Sequence, residues 1–103
     1  MTATRHLRPI HPGEILREEF LLPLGLSANA LAMALRVPAP RINDIAREKR
    51  GVTADTALRL ARYFGTSAEF WLGLQADFDL KTAEAASGEK IAREVMPAEL
   101  EAA

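Results

Sequence analysis

An all-α fold of five to six short helices is predicted by three features of this 103-residue chain. No stretch of useful length alternates apolar and polar residues with period two, so little or no sheet is expected. Apolar residues recur instead at three- and four-residue spacing along successive segments. Those segments are bounded by residues that start or stop helices: Pro12, Ser27, Thr53 and Thr66 at N-termini, Gly25 and Gly65 at C-termini.

The first helix opens at Pro12, suited to the N1 position, with Glu14 in the first turn near the positive end of the dipole. Ile15, Leu16, Phe20 and Leu22 give it an apolar stripe, and Pro23 and Gly25 stop it. Ser27 caps the second helix, Ala28 to Leu35, whose Leu31, Ala32 and Leu35 share one face. Arg36-Val37-Pro38 cannot continue it. The residue before a proline is pushed out of the α region, and Pro38 has no N–H to donate. Proline is accepted in the first turn of a new helix, so the third begins at Pro38 or Ala39. Ile42 and Ile45 then point inward.

Lys49-Arg50-Gly51 reads as a turn, with Gly51 expected at positive φ. Thr53 caps the fourth helix, with Asp55 in its first turn and Ala57, Leu58, Leu60, Ala61 and Phe64 as its buried face. Gly65 ends it in a left-handed conformation. Thr66-Ser67-Ala68-Glu69 has the form of a capping box and places the start of the fifth helix at Thr66. That helix carries Phe70, Trp71, Leu74 and Phe78. Beyond it, an Ala- and Glu-rich segment is broken by Ser87-Gly88 and Pro97, leaving room for one short helix near residues 89–96. The expected organisation is a flexible basic arm over residues 1–10 with Arg5, His6 and Arg8, a helical domain over residues 11–80, and an acidic C-terminal helix and tail over residues 81–103.

Length and composition bound the function. One domain is expected at this size, with a core modest enough that a dimer would help stability. No run approaches a membrane-spanning length, and the N-terminus lacks an apolar signal-peptide core. The absence of cysteine excludes disulfides and thiolate zinc sites and fits a cytoplasmic protein. The net charge of −1 conceals a segregation. Residues 1–68 carry ten Lys/Arg against six Asp/Glu, whereas residues 69–103 carry three against eight, giving local balances of +4 and −5. A local basic excess is what phosphate contacts require.

The basic half contains the chain's most informative stretch, SANALAMALRVPAPRINDIAREKR, residues 27–50. A short anchoring helix, a tight turn and a second helix with a small, polar and basic outer face form a helix-turn-helix, whose second helix can enter the major groove of DNA. The outward residues Ala39, Pro40, Arg41, Asn43 and Asp44 are the candidates for base contact. Arg41 can reach guanine or phosphate, Asn43 can read adenine or bind the DNA backbone, and Asp44 can accept from a cytosine amino group. Ala39 and Pro40 have no side-chain donor and can pack on a thymine methyl. Ser27, Arg36, Arg47, Lys49 and Arg50 are the candidates for phosphate contact.

The segment resembles the Cro-like (xenobiotic response element) helix-turn-helix of phage repressors. The flanks add His11-Pro12-Gly13-Glu14-Ile15-Leu16, Lys49-Arg50-Gly51-Val52-Thr53, Ala57-Leu58-Arg59-Leu60-Ala61, Phe70-Trp71-Leu72 and Leu74-Gln75. From about His11 to Leu80 this ordered set is similar to the HigA-type antitoxins of bacterial toxin–antitoxin modules. The resemblance implies a homodimer that binds an inverted-repeat operator, represses its own operon and neutralises a cognate toxin, a RelE-like mRNA endonuclease. Two positions depart from the family pattern. Arg36 stands where the corner often has glycine, and Pro38 stands where the third helix often has a Ser or Thr cap.

Other features have simpler readings. His6 and His11 lack the ligand spacing of a metal site and read as surface histidines. Glu18-Glu19 and Asp77/Asp79 are paired acids without a nucleophile nearby, so neither an enzyme nor a cofactor is expected. Trp71 with Phe70, Leu74 and Phe78 has the spacing of core residues. Yet Phe70 through Leu80 is apolar on more than one face, with Phe70, Leu72 and Leu74 off a single stripe. A second partner beyond the chain's own core is therefore expected, namely the same helix of another subunit, with Phe70, Trp71, Leu74 and Phe78 as the dimer candidates. The alternative to an antitoxin is a helix-turn-helix regulator without a toxin.

Overall fold

A computed structural model describes residues 8–100 and is all-helical among them. Helix α1 is one continuous rod made of an α-helical turn Pro12–Ile15, a π-helical segment Leu16–Leu21 and a closing turn Leu22–Leu24. Helix α2 spans Ala28–Leu35, α3 Ala39–Ala46, α4 Ala54–Phe64 and α5 Ala68–Glu94. The expected arm lies mostly outside the described residues. Its Arg8 is visible and pairs with Glu14 at 3.0 Å.

The π-helical segment explains a change in α1. Leu21 is buried and Leu22 is 65% exposed, the reverse of the expected stripe. A π-turn inserts one extra residue, so the face that meets the core shifts by one position. Pro23 lies inside the helix rather than ending it. A proline ring crowds the carbonyl four residues back, and the wider π-turn immediately before it accommodates that ring. Gly25, in the left-handed conformation at φ 61°, closes the rod.

Leu16, Leu31, Ile42, Ile45, Leu60 and Trp71 are completely buried and draw all five helices onto one core. Trp71 stacks obliquely on Phe20 and Phe64 at centroid distances of 5.1 and 6.4 Å, and its Nε1–H donates to Thr66 Oγ1 at 2.8 Å. Trp71 is therefore a core residue, a correction to its place among the dimer candidates: with no surface exposed, it cannot reach a second chain. Leu58, expected in the core, is 63% exposed, and the polar Thr56 takes a buried place on α4.

Three helix boundaries differ from expectation for identifiable reasons. Ser67, not Thr66, caps α5 by accepting from Phe70 N, because the Thr66 hydroxyl is engaged with Trp71. Ser87-Gly88 does not break the chain, and α5 runs unbroken to Glu94 over 27 residues. A helix of that length measures about 40 Å, and its distal half extends past the core. The radius of gyration is accordingly 17.3 Å, against about 13 Å for a compact chain of this size. Finally, the positive φ after α3 falls on Glu48, at 65°, and not on Gly51. Gly51 lies instead against the Gln75 carboxamide, which a Cβ there would meet at 2.8 Å and push aside.

Candidate nucleic-acid interface

Helices α2 and α3 pack together as the helix-turn-helix, and each turn of that unit is closed by the same device. At the corner, Arg36 takes the left-handed conformation at φ 63°. Its N–H donates to Met33 O, and Val37 N donates to Ala32 O. After α3, Glu48 repeats the arrangement, with Glu48 N bonded to Ile45 O and Lys49 N to Asp44 O. This 6→1 and 5→2 pattern satisfies the last carbonyls of each helix. Neither position carries glycine, and a left-handed non-glycine residue costs on the order of 1 kcal/mol. At Arg36 the corner is formed despite the departure noted in the sequence.

Pro38 is the N-cap of α3, in extended conformation and without a side-chain cap. Ala39 and Pro40 follow in the first turn, so neither Pro38 nor Pro40 spends an N–H that the helix needs. Ile42 and Ile45 are fully buried and clamp α3 to the core. That burial sets the rotation of the helix and turns Pro40, Arg41, Asn43 and Asp44 away from the core.

The polar candidates are already engaged. Asn43 Nδ2 donates to Asn29 Oδ1 at 2.7 Å and to Ala39 O at 3.0 Å. Arg41 Nη1 donates to Asp55 Oδ2 at 2.7 Å. Asp44 lies 3.5 Å from the Arg50 guanidinium. Neither Asn29 nor Asp55 is among the site candidates of the sequence, where Asp55 reads only as a first-turn residue of the fourth helix; only the fold brings them to α3. Arg47 and Lys49 are exposed immediately after α3, Arg36 is exposed at the corner, and Ser27 is exposed with its Oγ accepting from Ala30 N. The basic candidates thus flank both ends of α3, and Ser27 stands at the start of α2.

Helix α1 supports this unit from behind. Gly13 packs against the Ile45 carbonyl so closely that an added Cβ would lie far inside van der Waals contact with that oxygen. His11 is not a surface histidine, and the reason is its job as a helix cap. It is 4% exposed, its Nδ1 accepts from Gly13 N at 2.8 Å, and its ring meets Phe78 edge-on at 4.8 Å. Burial pushes its pKa below the ordinary 6.5, against an opposing pull from the Glu48 and Asp79 charges.

The Phe70, Leu74 and Phe78 candidates sit on α5. Phe70 is 41% exposed, while Leu74 and Phe78 are half-buried, Leu74 against the core and Phe78 against His11. Leu72 and Leu80 add further exposed apolar surface at 36% and 62%.

Residues 16–71 match the Helix-turn-helix family. The chain is 59% identical to the Pseudomonas aeruginosa antitoxin HigA solved with the higBA promoter, with a TM-score of 0.86 over 87% of this chain and 98% of that one. It is 40% identical over 74 residues to antitoxin HigA-1 of Vibrio cholerae, covering 71% of this chain and 69% of the relative. The chain belongs to the HigA antitoxin family. Virulence-associated protein I of Dichelobacter nodosus is also similar, at 68% identity over 75 residues, covering 73% of this chain and 69% of that protein. The HigA structure aligned across nearly its whole length has the same all-helical fold.

Proposed function

We propose that this HigA-family chain binds operator DNA as a homodimer, represses its own operon and neutralises a cognate RelE-like mRNA endonuclease toxin. One observation carries the DNA reading. Helix α3 is clamped by Ile42 and Ile45 so that Arg41, Asn43 and Asp44 face away from the core, with basic Arg36, Arg47, Lys49 and Arg50 around them. A related antitoxin solved with its promoter supports that reading. Ala39, Pro40, Arg41, Asn43 and Asp44 read bases, and Ser27, Arg36, Arg47, Lys49 and Arg50 hold phosphates.

A two-fold dimer presents two copies of α3 to an inverted repeat with half-sites about one helical turn apart, or a multiple of it. Phe70, Leu74 and Phe78, with exposed Leu72 and Leu80, supply apolar surface for that dimer. The toxin reading rests on family membership and on charge: residues 69–103 carry −5, complementary to a basic partner.

Footprinting on the promoter of its own gene tests the DNA reading. Asn43→Ala or Asp44→Ala is expected to lose about 1–3 kcal/mol on the preferred site and relax base preference, whereas Lys49→Ala weakens all sequences alike and lowers the salt slope by about one. Unchanged footprints and preference in the Asn43 and Asp44 variants would remove the recognition-helix assignment. Co-expression with the neighbouring gene's product tests the toxin reading, with relief of growth arrest and co-purification as the expected result.

A further inference from the structure

We propose that Asp55 is a positioning residue for operator recognition, holding the Arg41 guanidinium at the edge of α3 and tying it through Arg59 to the end of α2. The proposal rests on the assignment of Arg41 to DNA contact. Asp55 Oδ2 accepts from Arg41 Nη1 at 2.7 Å and from Arg59 Nε at 2.9 Å. Arg59 Nη1 in turn donates to the carbonyl oxygen of Leu35, the last residue of α2, at 2.8 Å. One carboxylate therefore joins the end of the anchoring helix, the start of the recognition helix and the first turn of α4.

The charge and donor arithmetic favour positioning over simple repulsion. An exposed acid beside a DNA-binding helix would repel phosphate, but here two guanidiniums face one carboxylate and leave the cluster net positive. The contact uses one Arg41 nitrogen, and a guanidinium carries five N–H donors in a fixed fork, so most of them stay available to a base or a phosphate. A long side chain already held in place loses less freedom when DNA arrives. Asp55 also sits in the first turn of α4, where the helix dipole favours a negative group. The two arginines hold its carboxyl below the usual carboxylate range, Arg59 more strongly than Arg41, so the charge persists across the physiological range.

The test is a double-mutant cycle on the full chain. Anisotropy titrations would use a duplex carrying the promoter of its own gene and a set of single-base-pair variants of it. Arg41→Ala is expected to weaken operator binding roughly 5- to 100-fold. Asp55→Ala should weaken it in the same pattern: loss of preference at the same base pair if Arg41 reads a base, or the same uniform loss if it holds a phosphate. The Arg41→Ala/Asp55→Ala protein should bind no more weakly than Arg41→Ala alone. Asp55→Asn retains an acceptor oxygen and should keep most of the base preference. Asp55→Ala binding as tightly as the parent overturns the proposal, and tighter binding overturns it and makes Asp55 a repelling charge. So do additive losses in the double variant, which would leave the Arg41 assignment standing. An Arg41→Ala protein with unchanged affinity and preference removes that assignment along with the proposal.

Discussion

The Arg17 guanidinium of α1 donates through Nη1, at 2.6 Å, to the carbonyl oxygen of Ala46, the last residue of the recognition helix. Its Nη2 reaches the Glu48 carboxylate at 3.2 Å, and Glu48 is the left-handed residue that closes that helix. A cation at a helix C-terminus complements the dipole and satisfies a carbonyl the helix leaves unpaired. Arg59 does the same for α2 at Leu35. Each helix of the DNA-binding unit therefore ends on an arginine supplied by a different part of the fold.

Arg17→Met, which keeps the aliphatic stem and removes the donors, is expected to cost about 1–2 kcal/mol. Thermal unfolding should show it as a midpoint lowered by several degrees, since about 1 kcal/mol shifts a domain of this size by roughly 4–8 °C. A midpoint equal to that of the parent would remove the capping role.

His11 should make stability depend on pH. Its folded pKa lies below the ordinary 6.5 because burial disfavours the charged ring. The unfolded chain then binds the proton more readily than the folded one. Its contribution is complete above about pH 6.5, falls as the pH drops through 6.5 towards the folded pKa, and levels off below that value. Denaturant midpoints for the parent and for His11→Gln, measured between pH 5 and 8, should converge at the acid end. A constant difference across the range would contradict this.

Two glycines should respond in opposite directions to the same change. Gly13→Ala drives a Cβ into the Ile45 carbonyl and should destabilise the fold by about 3 kcal/mol or more, displacing α1 from α3. At Gly88 the nearest atom to an added Cβ is Glu84 Cβ at 3.9 Å, an ordinary contact inside α5. Gly88→Ala should therefore stabilise α5 by about 0.5–1 kcal/mol. Chemical denaturation of both variants checks the pair. A neutral Gly13→Ala would mean that α1 and α3 separate without loss.

Aromatic substitutions on α5 should separate the core from the proposed dimer surface. Trp71→Ala removes a completely buried ring and should cost about 3–5 kcal/mol. Phe70→Glu places a charge on a partly exposed site and should leave the monomer folded while weakening the dimer. Light scattering across micromolar concentrations, together with circular dichroism, distinguishes the two effects. A Phe70→Glu protein that dimerises as tightly as the parent would move the interface elsewhere.

Most of the scaffold was legible as sequence because its signals are local. Ser27 and Thr53 cap the helices they were read to cap, Ile42 and Ile45 face inward by their spacing, and Val37 and Pro38 mark the corner because proline limits both its own backbone and that of the residue before it. The outward face of α3 followed from the same spacing.

What the sequence could not disclose depended on residues distant along the chain. Leu22 and Leu58 have the right polarity for a core, but the π-turn and the packing of α4 turn them outward. Trp71 looked available for a partner until Phe20, Phe64 and Thr66 enclosed it. His11 became a buried cap only when Phe78, far along the chain, came to cover it. Asp55 read only as a first-turn acid of its helix, and only the docking of α4 beside α2 and α3 brought it to Arg41, and Arg59 to Leu35. The sequence determined by itself where the second, third and fourth helices begin and which helix offers its polar groups outward, because backbone propensity and side-chain periodicity act within a few residues. Tertiary structure alone decided which partners those polar groups hold, because a hydrogen bond or an aromatic contact between distant segments exists only after the core has brought them together.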